Sequence, residues 1–215
     1  MKSKTEFGNN KGFTLIEMAI VLIIIGIIIG AVVKGKDLVR GAEQKKVYSK
    51  FISEWLTCYL NFYDRTGKVL GDTWDGSAAG QDGKADTSAG TATAPTDAGR
   101  ADLYDGPAVG TAYMGLKQIG LTAPATNTAL NYQYRYTDSC GAADILTIAF
   151  AYDTTGKYNY MEITNIPNEL CISLDTMIDS QADGTLGDFI GDAQTGAAWG
   201  TDPCTTTTAR WKLEF

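Results

Sequence analysis

Three sets of residues have the types and spacing to do chemistry. The first is a single carboxylate, Glu17, inside the run FTLIEMAIVLIIIGIIIGAVV at 13–33. A charged side chain at the centre of a membrane helix costs about 2.5 kcal/mol or more, so one that is kept there is functional and paired. Glu17 lies near one end of the run, where the cost is smaller. The second set is the cysteines Cys58, Cys140, Cys171 and Cys204. Four cysteines allow three pairings, and their spacing does not choose among them. Beside a membrane-targeting N-terminus they point to an oxidising compartment and disulfides. The third set is aspartate in two glycine-rich stretches. DTWDGSAAGQDGKAD holds Asp72, Asp75, Asp82 and Asp86, and DSQADGTLGD holds Asp179, Asp183 and Asp188. Hard carboxylate oxygens on a turning backbone are candidate calcium ligands. Neither stretch has the EF-hand spacing, and Asp and Gly are also the ordinary turn residues.

Composition removes other chemistries. The 215 residues contain no histidine, which excludes Ser-His-Asp and Cys-His catalysis in their usual forms. Without a nucleophile motif, the expectation is a non-enzyme that requires no cofactor, with calcium as the one candidate ion. The net charge is −7, so nucleic acid, which needs clustered Lys and Arg, is not an expected partner. Charge is also unevenly placed. Lys34, Lys36, Arg40, Lys45, Lys46 and Lys50 against Asp37 and Glu43 give +4 over 34–50. From residue 65 onward nine Lys/Arg face nineteen Asp/Glu. A basic stem and an acidic head attract each other between copies.

These residues need elements to position them. Residues 1–12, MKSKTEFGNNKG, form a short polar leader. The twenty-one residues at 13–33 suffice to cross the hydrocarbon layer as a helix. No small-residue cleavage site follows Val33, as an ordinary secretory signal would require; the possible cut precedes the run, at Gly12. Gly26 and Gly30 form a G-x-x-x-G, a candidate helix-contact face. Residues 34–64 contain no proline, and Val47, Phe51, Trp55, Cys58 and Phe62 recur on one helical face, widened by Ile52, Leu56 and Leu60. Gly67 ends the pattern. A helix of about fifty residues is expected, about 75 Å long at 1.5 Å per residue. Residues 71–111 are dense in Gly, Ala, Asp and Thr and read as a long loop. Strands are expected at 131–137, 145–152, 158–163 and 209–215, with a helix around 167–180. One long helix on four short antiparallel strands makes an α+β chain.

The segment KGFTLIEMAIVLIIIGIIIG resembles the class III signal of type IV pilins and type II secretion pseudopilins. The resemblance covers about the first 50 residues and departs from many members in having Lys34 where they carry proline. It implies that a prepilin peptidase cuts after Gly12 and that Phe13 becomes the N-methylated N-terminus. It further implies that Glu17 meets the N-terminal amine of a neighbouring subunit and sets filament register. The implied organisation is leader 1–12, transmembrane and assembly helix 13–33, amphipathic stem 34–64 and globular head 65–215. The head then has a variable loop at 71–111 and a C-terminal loop at 171–204. In the pilin arrangement a disulfide staples that last loop, which implies Cys171–Cys204 and leaves Cys58–Cys140. Calcium sites known in pseudopilins lend weight to the Asp179 stretch.

The function so implied is a structural subunit of a type IV pilus-like filament. The alternatives are a type II secretion pseudopilin and a membrane-anchored periplasmic domain that never polymerises. The implied partners are further copies in a helical filament, the prepilin peptidase, an inner-membrane assembly platform, minor pilins, and the membrane before assembly. The implied location is the inner membrane first, then an extracellular pilus or periplasmic pseudopilus. Adhesion, motility, DNA uptake and secretion are the roles such filaments serve.

Overall fold

The computed structural model describes residues 13–72, 83–85, 103–105, 115–192 and 196–214. The chain divides into two compact units, Met1–Glu43 and Gln44–Phe215. In the first unit, helix α1 begins at Leu15 and continues to Val47. Its run of β-branched Ile and Val has modest helix propensity. Inside a membrane, however, a helix satisfies every backbone N–H and C=O within the segment itself. Every described large apolar side chain from Phe13 to Val39 is exposed in the single chain. The helix is long and apolar enough to cross a membrane.

In the second unit the helix loosens into a π-turn, Tyr48–Ile52, and resumes as α2, Ser53–Thr66. Val47, Phe51, Ile52, Trp55, Cys58, Tyr59 and Phe62 are buried. Leu60, expected on this face, is 39% exposed. At about 100° per residue it falls opposite Phe51, whereas Tyr59 falls within the buried arc. Tyr59 escapes a pattern search because its hydroxyl reads as polar. Its ring nevertheless stacks on Phe150 at 5.0 Å. Gly67 closes the helix as expected. It adopts the left-handed conformation (φ 67°) and its N–H donates to the Tyr63 carbonyl, a helix end that glycine makes without Cβ strain.

The described strands form one antiparallel sheet in the order β1-β2-β3-β5-β4. They are β1 (Gln133–Thr137), β2 (Ala143–Asp153), β3 (Tyr158–Pro167), β4 (Phe189–Gly191) and β5 (Thr206–Lys212). Four expected strands are present; β4 is additional. At three residues it is too short to show alternation. β2 and β3 pair Ile148 with Ile163 and Phe150 with Met161, and all four are fully buried. Against this face lie Trp55, edge-on to Phe150, and Phe51, tilted on Tyr134. The expected α+β arrangement, a long N-terminal helix packed on an antiparallel sheet, is therefore present.

The outer edge of β1 is closed by side chains rather than by another strand. The Asn127 amide donates to the Arg135 carbonyl and accepts from the Arg135 N–H, at 2.8 and 2.7 Å. The hydroxyls of Thr126 and Thr128 donate to the Gln133 carbonyl. An open edge is a template for pairing with other chains, so this closure protects against aggregation.

The disulfide pairing differs from expectation. Cys140 is bonded to Cys204, with Cα atoms 6.2 Å apart, while Cys58 and Cys171 are free and buried. The reason is positional. Cys140 lies in the turn between β1 and β2, and Cys204 lies two residues before the start of β5. Cys171 faces the core from helix α3 (Asn168–Ile178), and Cys58 points at the Thr122 carbonyl, 3.6 Å away. The bond spans 64 residues, worth about 4 kcal/mol in the chain-entropy treatment.

The chain beyond α3 is held down by Asp175. This carboxylate is 1% exposed. Its Oδ2 accepts from Trp199 Nε1 at 2.6 Å and from the Gly184 N–H at 3.0 Å. Its Oδ1 is buried without a hydrogen-bond partner. Burial pushes the carboxyl above its ordinary range, against the lowering effect of the Trp199 and Gly184 bonds, and nearby Asp179 and Asp183 push it further up.

Two outcomes follow from this packing. Native alkylation should spare Cys58 and Cys171, both should react after denaturation, and non-reducing peptide mapping should recover Cys140 linked to Cys204. Recovery of a Cys171–Cys204 peptide instead would overturn the pairing. Asp175 should also make stability depend on pH. A carboxyl whose folded pKa is raised penalises folding when charged, and the penalty lifts as pH falls through the folded value towards about 4. Urea unfolding should therefore show the wild type gaining stability relative to Asp175→Asn, which lacks this titration, as pH falls from neutral towards the ordinary carboxylate range near about 4. Parallel profiles would show that Asp175 is not the group responsible.

Candidate functional site

The first turn of α1 builds the site around Glu17. Thr14 precedes the helix, and its N–H and Oγ both donate to Glu17 Oε2 at 2.8 Å. The Glu17 N–H approaches Thr14 Oγ at 3.3 Å in return. This reciprocal arrangement is a capping box, which satisfies orphan donors at a helix start and fixes both side chains. Its signature, T-x-x-E, is present in the sequence as Thr14 to Glu17, and a search for caps finds it. Expectation assigned Glu17 to assembly and overlooked Thr14.

The geometry gives Glu17 two faces. One oxygen closes the first turn, and the second is left for a further donor. The negative charge also sits at the helix N-terminus, where the helix dipole favours it. Phe13, the expected new N-terminus, lies one residue ahead of Thr14 and is 82% exposed. Gly12 and the rest of the leader lie outside the described residues.

The aspartates divide into groups with local tasks. Asp179 Oδ2 accepts from the N–H groups of Asp188 and Phe189, holding the loop against β4. Asp183 Oδ1 accepts from the N–H groups of Thr185 and Leu186 at 2.8 and 2.9 Å. Those bonds hold its carboxyl below the usual range. Asp188 is exposed. Asp72 accepts from the Gly83 N–H at 3.0 Å, while Asp75, Asp82 and Asp86 lie outside the described residues. The carboxylates of Asp179, Asp183 and Asp188 do not converge as a triple ligand set. Among the described residues, the one set of three ligand groups within 4.8 Å is Asp138, Cys140 and Cys204, and its sulfurs are joined to each other.

The free thiols are not poised for reaction. Burial, with Glu54 nearby, pushes Cys58 up to about 11, and burial raises Cys171 as well. A thiol is nucleophilic as its thiolate, which both settings suppress at neutral pH.

No curated protein and no solved structure matches the chain. Residues 8–33 match a family model described as the prokaryotic N-terminal methylation motif. That segment contains Gly12, Phe13, Thr14 and Glu17, the residues that form the start of α1 and its expected processing site. The motif implies processing by a prepilin peptidase and assembly from the membrane, and the apolar helix fits membrane anchoring beforehand. The match covers 26 of the 215 residues, and what it shows is that this N-terminal segment carries the class III signal found on type IV pilins and pseudopilins.

Proposed function

We propose that the chain is a structural subunit of a type IV pilus-like filament, built by helical packing of residues 13 to about 64 after cleavage at Gly12 and methylation of Phe13. The observation that carries this reading is Glu17. It is a carboxylate in the first turn of an otherwise apolar helix, held in one orientation by Thr14, within a matched methylation motif. Moving the apolar helix from lipid into a helix bundle exchanges one hydrocarbon environment for another, so hydrophobicity alone sets no register. A carboxylate meeting the amine of a neighbouring Phe13 does, because opposite charges attract strongly where water is scarce. Thr14 orients the carboxylate for that contact and leaves one oxygen to accept it.

Mass spectrometry of the N-terminal peptide tests the reading. Sheared surface material should yield a peptide beginning at N-methylated Phe13. The same peptide confined to membranes would assign the chain to the pseudopilin alternative, and an intact leader everywhere would leave a non-polymerising anchored domain. Glu17→Ala should lower filament yield by more than about tenfold, since removing one partner strands the other's buried charge, while the head keeps its near-ultraviolet circular dichroism. Thr14→Ala should have a smaller effect, that of a lost helix cap worth about 1 kcal/mol. Undiminished filaments from Glu17→Ala would remove the mechanism.

A further inference from the structure

The filament reading leaves the two oppositely charged surfaces unexplained. Resting on that reading, we propose that Lys45, Lys46 and Lys50 on the helix of one copy bind the acidic surface around the 179–192 loop of a neighbouring copy. On the basic side, Lys45, Lys46 and Lys50 are all exposed. None has an ion-pair partner among the described residues. On the acidic side, no Lys or Arg occurs from 158 to 209, whereas eight Asp/Glu do.

The fold sorts those acids. Asp175 is taken inward by Trp199, and Asp192 is paired with Arg210 at 3.0 Å. Lys212, the nearest lysine in sequence, spends its Nζ on the Gly187 carbonyl at 2.7 Å. Asp183 and Asp188 remain without a cationic partner among the described residues. The loop that carries them is held firmly, by Asp179 on β4 and Asp175 under Gly184. A held loop presenting unpaired carboxylates is an ordered surface.

The occupant is a second copy rather than lipid. At 1.5 Å per residue, Lys45 to Lys50 lie about 18 to 25 Å along the helix from Val33, where the apolar run ends. The headgroup layer reaches about 5 to 7 Å beyond the hydrocarbon, so these lysines stand more than one Debye length, about 8 Å in physiological salt, beyond it and lipid charge is largely screened from them. Every copy carries both surfaces, so the contact is head-to-tail. Such contacts propagate into filaments when the rotation does not close a ring. Exposed ion pairs are individually weak and salt-screened, which makes this contact a selector of lateral packing rather than the main source of cohesion.

Zero-length carbodiimide cross-linking tests the contact in filaments grown from mixed light and ¹⁵N-labelled chains. The expected result is mixed-isotope peptides joining Lys45, Lys46 or Lys50 to Asp183 or Asp188. Lys45→Glu/Lys46→Glu filaments should release about fivefold more subunit than wild type at equal salt, and adding Asp183→Lys/Asp188→Lys should restore retention. Circular dichroism of each variant checks that the head is folded. Intact wild-type filaments with only same-isotope cross-links, or equal release from the Lys→Glu variant, would overturn this contact alone. A loss confined to binding of phosphatidylglycerol vesicles would give the lysines to lipid and also overturn it. Wild-type chains that never enter a filament would remove the filament reading and this contact together.

Discussion

A carboxylate in the first turn of an apolar helix is the constraint from which the rest follows. Thr14 meets part of it within the chain, by closing a capping box on Glu17. The box satisfies donors that a helix start leaves open, and it removes rotamer freedom from the carboxylate. It does not neutralise the charge. A partner cation is still needed once the segment is surrounded by hydrocarbon or by other helices. In the proposed filament that cation is the amine that cleavage before Phe13 would create on a neighbouring copy. On that proposal processing and packing are linked, because the cut produces the group that the carboxylate requires.

The second unit solves a different problem, which is to hold an amphipathic helix firmly on a small sheet. The contacts are aromatic on aromatic, with Trp55 and Tyr59 on Phe150 and Phe51 on Tyr134. Rings of this size bury large areas and favour particular geometries. Phe51 and Ile52, in the π-turn at Tyr48–Ile52, are both fully buried in the core. The sheet is then finished by devices that sequence patterns do not announce. Asn127 closes the edge of β1, the Cys140–Cys204 bond ties a turn to the start of β5, and Asp175 pins the chain beyond α3. Asp175 does so at an electrostatic cost, because one of its oxygens is buried without a partner.

Charge separates what the sheet and helix leave exposed. The helix past the apolar run is basic and the C-terminal part of the head is acidic. Among the described residues the lysines and the loop carboxylates lack ion-pair partners of opposite sign, and the proposed contact between copies joins them. The apolar helix has the same property in another form, since its side chains are exposed in the single copy.

Local chemistry determined much of this protein. The apolar run, the lone Glu17, the Gly67 helix end and the β2–β3 hairpin are all legible in the sequence. Each rests on neighbours close in the chain, so periodicity and turn chemistry carry it. The capping box was equally local and equally legible. Tertiary structure decided the rest. Which cysteines pair depends on which Cβ atoms face each other across 64 residues, and no spacing rule reports that. Leu60 and Tyr59 exchange places because burial follows the geometry of the packed face rather than apolarity alone. β4 is too short for a pattern and exists because β5 offers an edge beside it. The aspartates beyond α3 read as one acidic cluster in sequence. The fold separates them into a buried latch, backbone acceptors and exposed charges, because only packing determines which carboxylate meets which donor.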